Sequence, residues 1–171
     1  SSAASDVYKR QIMNKYMKIA NELAQQNILT NHGGPFGAVI VKDGVIVGKG
    51  NNQVVLKNDP TAHAEIVAIR AACKTLNTFN LTGCEIYTNC YPCPMCLSAI
   101  IWSNIKVVYY GNTKEDADEI GFRDNIIYKY LEMEKTPKDS KELLKIIEID
   151  REETIKTFDN YKNKTENKTM Y

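Results

Sequence analysis

The stretch from Cys84 to Tyr110 limits the possible folds more than any other. Cys84 to Thr88 reads as a strand, Pro94 to Ser103 as a helix and Lys106 to Tyr110 as another strand. Strand, helix and strand in succession imply a parallel crossover, and with it a layered α/β sheet. The preceding segments fit the same layers. Tyr16, Met17, Ala20, Leu23 and Ala24 recur at helical spacing until the breaker Asn31-His32-Gly33-Gly34-Pro35. Phe36 to Val41 and Val45 to Lys49 are short β-branched runs separated by Lys42-Asp43-Gly44, where Asp-Gly signals the tight turn of a hairpin. Ala62 to Leu76 reads as an Ala-rich helix with Thr61 as its expected cap. Beyond Gly121 the pattern blurs. Leu143 to Ile149 is expected to be a strand, and Glu152 to Tyr161 a helix with Ile155 and Phe158 turned inward.

Residues 1–12 have no usable periodicity and precede Met13, so they are set aside as a non-native or disordered segment, and 13–171 is taken as one domain. At 171 residues, 43% hydrophobic, the chain suffices for one core and is neither disordered nor fibrous in composition. Its 22 basic and 21 acidic residues nearly cancel, so the broad basic field left by long polyanion contacts is missing. Nucleic acid is demoted as a partner. No apolar run reaches bilayer length, and five cysteines, an odd number, suit a reducing compartment better than a disulfide framework. The expectation is a cytoplasmic protein without a membrane partner.

The chemistry sits in His63-Ala64-Glu65 and, 30 positions after His63, Cys93-Pro94-Met95-Cys96. One imidazole and two thiolates form the three-ligand set of a catalytic zinc, which leaves a fourth position for water; a structural zinc takes a fourth protein ligand. Both motifs fall at the N-terminal ends of expected helices, where the helix dipole favours thiolate over thiol. Glu65, two residues from a ligand, can reach the water and relay its proton without joining the coordination shell. Taken singly these residues read as buried thiols and a loop histidine. Jointly, HAE with PCxxC is the signature of zinc nucleobase deaminases. Cys90 extends the run to Cys-x-x-Cys-x-x-Cys and leaves a closed four-ligand site as an alternative; Cys73 and Cys84 read as buried small hydrophobes.

These motifs resemble the cytidine-deaminase-like superfamily and, within it, the small bacterial guanine deaminases. Gly33-Gly34-Pro35-Phe36-Gly37-Ala38-Val39, Asn51-Asn52, Pro60-Thr61-Ala62-His63-Ala64-Glu65, Pro92-Cys93-Pro94-Met95-Cys96 and Gly121-Phe122 carry the likeness, which spans about Met13 to Tyr130. It implies a three-layer α-β-α sheet of about five strands flanked by helices. It also implies zinc held by His63, Cys93 and Cys96, with Glu65 as proton shuttle and Asp124 assisting at the edge of the base. Asn52, Phe36 and Ala64 would contact the base. Trp102 would be a second apolar wall, or else a core-facing helix residue. Family members exchange C-terminal segments in a homodimer, here 131–171, and a terminal aromatic from the partner closes the pocket; Tyr171 matches by being last, although the tail is longer than the family pattern. Tyr91 stands where the family commonly has a Glu before Pro-Cys.

The activity implied is hydrolytic deamination of guanine to xanthine and ammonia. A tRNA adenosine deaminase shares HAE and PCxxC and is the first alternative, cytosine or nucleoside deamination the next. A zinc-stabilised binding module without turnover is the alternative outside catalysis.

Overall fold

The computed structural model describes residues 13–133 and 144–169, in two compact units, 1–125 and 126–171. In the first unit, helix α1 (Lys15–Thr30) opens on Asn14, whose side chain accepts from the backbone N–H groups of Tyr16 and Met17, and ends on Asn31 in the left-handed conformation. Strands β1 (Gly37–Lys42) and β2 (Val45–Asn51) form the expected hairpin. Its two turn residues, Asp43 at φ 49° and Gly44 at φ 78°, both take the positive values that a type I′ turn demands. A short helix, α2 (Val54–Lys57), leads to α3 (Ala64–Leu76). Strand β3 (Cys84–Cys90), helix α4 (Pro94–Trp102) and strand β4 (Val107–Asn112) follow, with β3 and β4 parallel as the crossover required. Helix α5 (Lys114–Glu119) is closed by a capping box between Thr113 and Asp116, and α6 (Asp124–Met133) begins after Gly121.

The sheet order is β2-β1-β3-β4, mixed, with β1 antiparallel to both neighbours. A central strand covered on both faces must be apolar throughout rather than alternating, and Ala38 to Val41 are all buried. Ala38 and Ile40 point into one core with Val47, Leu81, Ile86 and Ile100; Val39 and Val41 point into the other with Ala20 and Tyr87. Helices α3 and α4 cover the first face and α1 the second, so the three layers are those expected.

Three expectations are corrected. There are four strands among the described residues rather than about five, because 144–149 lie in no ladder: their isoleucines are exposed, and a β-rich run becomes a strand only by pairing. The cap of α3 is His63 rather than Thr61, whose N–H and hydroxyl are both committed to Asp59 Oδ1 at 2.8 and 2.6 Å. In the second unit the expected helix is present as α7 (Arg151–Asn163), but Phe158 is 74% exposed and no residue of the helix is buried.

What brings α3 to the sheet is the absence of bulk. Ala64, Ala68 and Ala72 make a stripe at four-residue spacing, fully buried against Gly48 and Gly50 of β2. A Cβ on Gly50 would collide with the carbonyl oxygen of Ala64, and one on Gly48 would come within 2.5 Å of that of Ala68. Replacing Gly50 with Ala should therefore push α3 off the sheet and cost about 1–3 kcal/mol, as overpacking does; urea denaturation of the two proteins measures it.

Candidate active site

Two helix N-termini meet at the C-terminal end of β3. His63 is the N-cap of α3 and Cys93 the N-cap of α4, with Pro94 behind it in the first turn. An N-cap position ordinarily turns a Ser, Thr, Asp or Asn side chain back onto the helix. Here imidazole and thiol turn outward to one another instead. His63 Nδ1 lies 3.6 Å from both Cys93 Sγ and Cys96 Sγ, and the three donor atoms fall within 4.8 Å of one another.

This donor set fits zinc. With Zn–N near 2.0 Å and Zn–S near 2.3 Å, tetrahedral angles put nitrogen and sulfur about 3.5 Å apart, which is the separation found. Hydrogen bonds from Cys96 and then from His63 draw the Cys93 thiol far below its ordinary range, while Cys96 is pushed up because it keeps the proton it donates and is buried. With metal bound, both sulfurs can be thiolates.

Glu65 stands next to the set and outside it. It is 6% exposed, with Oε2 3.4 Å from Cys96 Sγ and Oε1 accepting from the Thr88 hydroxyl at 3.4 Å. Burial is the leading cause that raises its pKa, so the carboxylate takes up a proton more readily than one in water. Asp124, first residue of α6, is half-buried; burial first, then the charge of Cys93, raises its pKa too, and it feels His63 as well. Cys90 is not in the cluster. Its thiol donates to the carbonyl of Thr113 at 3.6 Å and burial pushes its pKa up to about 12, the state of an inert thiol.

Asn52 and Phe36 lie on the loops beside this centre. Asn52 is buried, its N–H donates to Phe36 O at 3.0 Å, and its Oδ1 accepts from Val54 N–H at 3.1 Å, which leaves the Nδ2 donors turned elsewhere. Gly33 packs so tightly on Asn52 that a Cβ there would overlap the amide oxygen. Phe36 meets Phe122 edge-to-face, ring centroids 4.7 Å apart. Ala64 is fully buried in the first turn of α3, where backbone N–H groups have no helical partner. Trp102 sits at the opposite end of α4 from Cys93 and is 63% exposed; the structure does not bring it to the others. Tyr171 lies outside the described residues. A separate cavity of about 230 Å³, lined by Ala24, Phe36, Cys90, Asp116 and Ile120 among others, contains neither the cluster nor Glu65.

Sequence reasoning passed over Thr88, which fixes Glu65; Asn89, whose amide holds Pro35 O and Gly37 N–H at 3.0 Å each; and Asn27. For Asn27 a signal existed. It continues the buried face Ala20, Ala24 at the next helical position, where an amide is out of place unless it is paired.

Residues 10–112 match the family model described as the cytidine and deoxycytidylate deaminase zinc-binding region. The chain belongs to this family. It is 52% identical over 117 residues to the guanine deaminase of Bacillus subtilis (strain 168), covering 68% of this chain and 75% of that one. The X-ray structure of guanine deaminase from Bacillus subtilis matches with a TM-score of 0.82 at 42% identity, over 93% of this chain and 100% of the other. The guanine deaminase from Nitrosomonas europaea matches at TM-score 0.61 and 34% identity, over 64% of this chain and 63% of that one. A tRNA-specific adenosine deaminase of Aquifex aeolicus (strain VF5) is 49% identical over 77 residues, 45% of this chain and 51% of the other. The family is one of zinc-dependent deaminases, and His63, Cys93 and Cys96 are placed so that together they could hold a metal ion. Among the described residues no helix is long and apolar enough to cross a membrane.

Because Cys90 is bonded away from the cluster, Cys90→Ala should bind zinc one to one, whereas Cys93→Ala should lose it on dialysis against a mild chelator. Atomic absorption on the dialysed proteins reads the difference.

Proposed function

We propose that the protein is a guanine deaminase, releasing ammonia from the base and leaving xanthine. The observation that carries the choice of base is the likeness to the Bacillus subtilis enzyme, 52% identical over 117 residues and matched in structure over 93% of this chain, against matches to tRNA-specific enzymes at lower identity. The near balance of charge supports a small free base over an RNA.

Zinc held by His63, Cys93 and Cys96 would supply Lewis-acid polarisation of a water, which lets it ionise near neutral pH. The remaining work belongs to side chains of the chain itself. Glu65 accepts the water's proton on its carboxylate and delivers it to a ring nitrogen as the C2–O bond forms. Glu65 then takes the proton of the new C2 hydroxyl and delivers it to the amino group, so that the C2–N bond breaks as the C2=O bond forms and ammonia departs. Burial suits Glu65 to this exchange, since an acid and base in turn works best with a pKa near the operating pH. Asn52, through Nδ2, and Ala64, through its N–H, offer donors to acceptors on the base, and Asp124 offers an acceptor to a ring N–H. Phe36, braced by Phe122, is proposed as the wall against which the ring lies. Holding the ring against the attacking water is worth much of the barrier, because misplacement depletes attack-ready geometries. Trp102 is proposed as a contact only through a second copy, given its distance along α4 from the cluster.

The protein is further proposed to work as a homodimer that exchanges its C-terminal segment, with Tyr171 of each copy serving the other. In support, the second unit presents Leu144, Ile146, Ile147, Ile149 and Phe158 to solvent, apolar surface that another copy would cover. The free thiols support the cytoplasm as its compartment.

Ammonia release from guanine, guanosine, cytosine, adenine and a tRNA anticodon stem-loop, each offered to the zinc-loaded protein, tests the reading. Turnover of guanine alone is expected; turnover of the stem-loop alone would move the protein to RNA editing, and silence throughout would favour a binding module. On the active substrate, Glu65→Gln should keep stoichiometric zinc and lose about 10²–10⁴-fold in kcat, the usual size of general acid–base catalysis.

A further inference from the structure

Asn27 lies in α1, outside every motif above, and is 2% exposed. Its Nδ2 donates to the carbonyl oxygens of both Gly34 and Asn52, each at 2.8 Å, and its Oδ1 accepts from Asn51 Nδ2 at 2.8 Å. Asn51 Oδ1 accepts in turn from Gln53 Nε2 at 3.0 Å. Both amide protons of Asn27 are therefore spent on two loops that come from different parts of the chain: the Gly-Gly-Pro-Phe loop before β1 and the Asn52 turn after β2. Gly33 abuts the Asn52 amide, and the Asn52 N–H closes the ring of contacts on Phe36 O. An asparagine inside a helix is a poor helix former, and a buried amide is costly unless fully paired. A hydrophobic residue would fill the α1 face without either cost. The pairing instead specifies one arrangement of two loops, the loops that carry Phe36 and Asn52.

We propose that Asn27 is a positioning residue of the base pocket: it fixes the Phe36 loop against Asn52 so that the Asn52 amide is held at one angle to the ring. The proposal rests on Asn52 and Phe36 being base contacts. Removing the Asn27 amide should loosen the pocket and leave the zinc centre, carried by α3 and α4, as it was.

The test uses the zinc-loaded full chain with Asn27→Ala, Asn27→Asp and the milder Asn51→Ala, which removes the group that orients Asn27. With loss of paired hydrogen bonds worth about 1–1.5 kcal/mol, KM should rise ~10-fold in the two Asn27 variants and less in Asn51→Ala. In all three, kcat should stay within about threefold and zinc content at one per chain. In an Asn52→Ala background the Asn27→Ala change should raise KM much less than it does in the wild type, because the group it aims is gone. A substrate-free reading is independent of which base is turned over: amide hydrogen exchange at Asn52 and Val54 should quicken at least about tenfold in Asn27→Ala, with Ile86 to Thr88 of β3 unchanged. Unchanged exchange at Asn52 and Val54, a uniform rise that includes β3, or a fall in kcat at constant KM would overturn the role. If guanine is not a substrate, the wild type reveals that by itself, and the exchange measurement still decides on Asn27.

Discussion

Gly48 and Gly50 of β2 let the backbone of α3 come down onto the sheet with nothing between them but the methyl groups of Ala64, Ala68 and Ala72. That close approach decides where the first turn of α3 lies. His63 caps the turn and Glu65 is its second residue, so both are placed by the packing of small residues rather than by their own contacts. On the other side the crossover from β3 into α4 delivers Cys93 and Cys96 from the end of a central strand. The candidate metal site is the place where these two constraints intersect, and its donor spacing follows from the backbone they position.

Electrostatics complete what packing begins. Two helix N-termini point their positive ends at one spot, a setting that stabilises thiolate and a negatively charged transition state alike. Glu65 is buried beside them with its carboxylate tied to Thr88, so its affinity for protons is raised while its position is fixed. Asp124 comes from a separate helix yet senses the same charges. Three donors that could hold a metal, a buried carboxyl and a second carboxyl that feels the same charges are the parts that hydrolysis moving two protons in sequence would need.

The crossover, the hairpin and the zinc motifs were legible in the sequence because each has a local cause: alternating element types, an Asp-Gly turn, ligands at fixed spacing. The cap of α3 was misassigned to Thr61 because a threonine before an apolar run looks like a cap, while Asp59 had a stronger claim on its hydroxyl. The run from 144 to 149 has strand composition and no ladder, since pairing depends on a neighbour that composition does not reveal. Asn27 and Thr88 were missed for a related reason. Their roles exist only once distant loops meet, and a single asparagine or threonine in an apolar face carries little signal until the partner is known.

Zinc K-edge X-ray absorption of the metal-loaded protein shows whether His63, Cys93 and Cys96 make an open three-ligand centre. Two sulfurs near 2.3 Å are expected with two lighter atoms near 2.0 Å, one from His63 and one from solvent. A shell of three sulfurs, with Cys90 drawn in, or one filled by four protein ligands would contradict it.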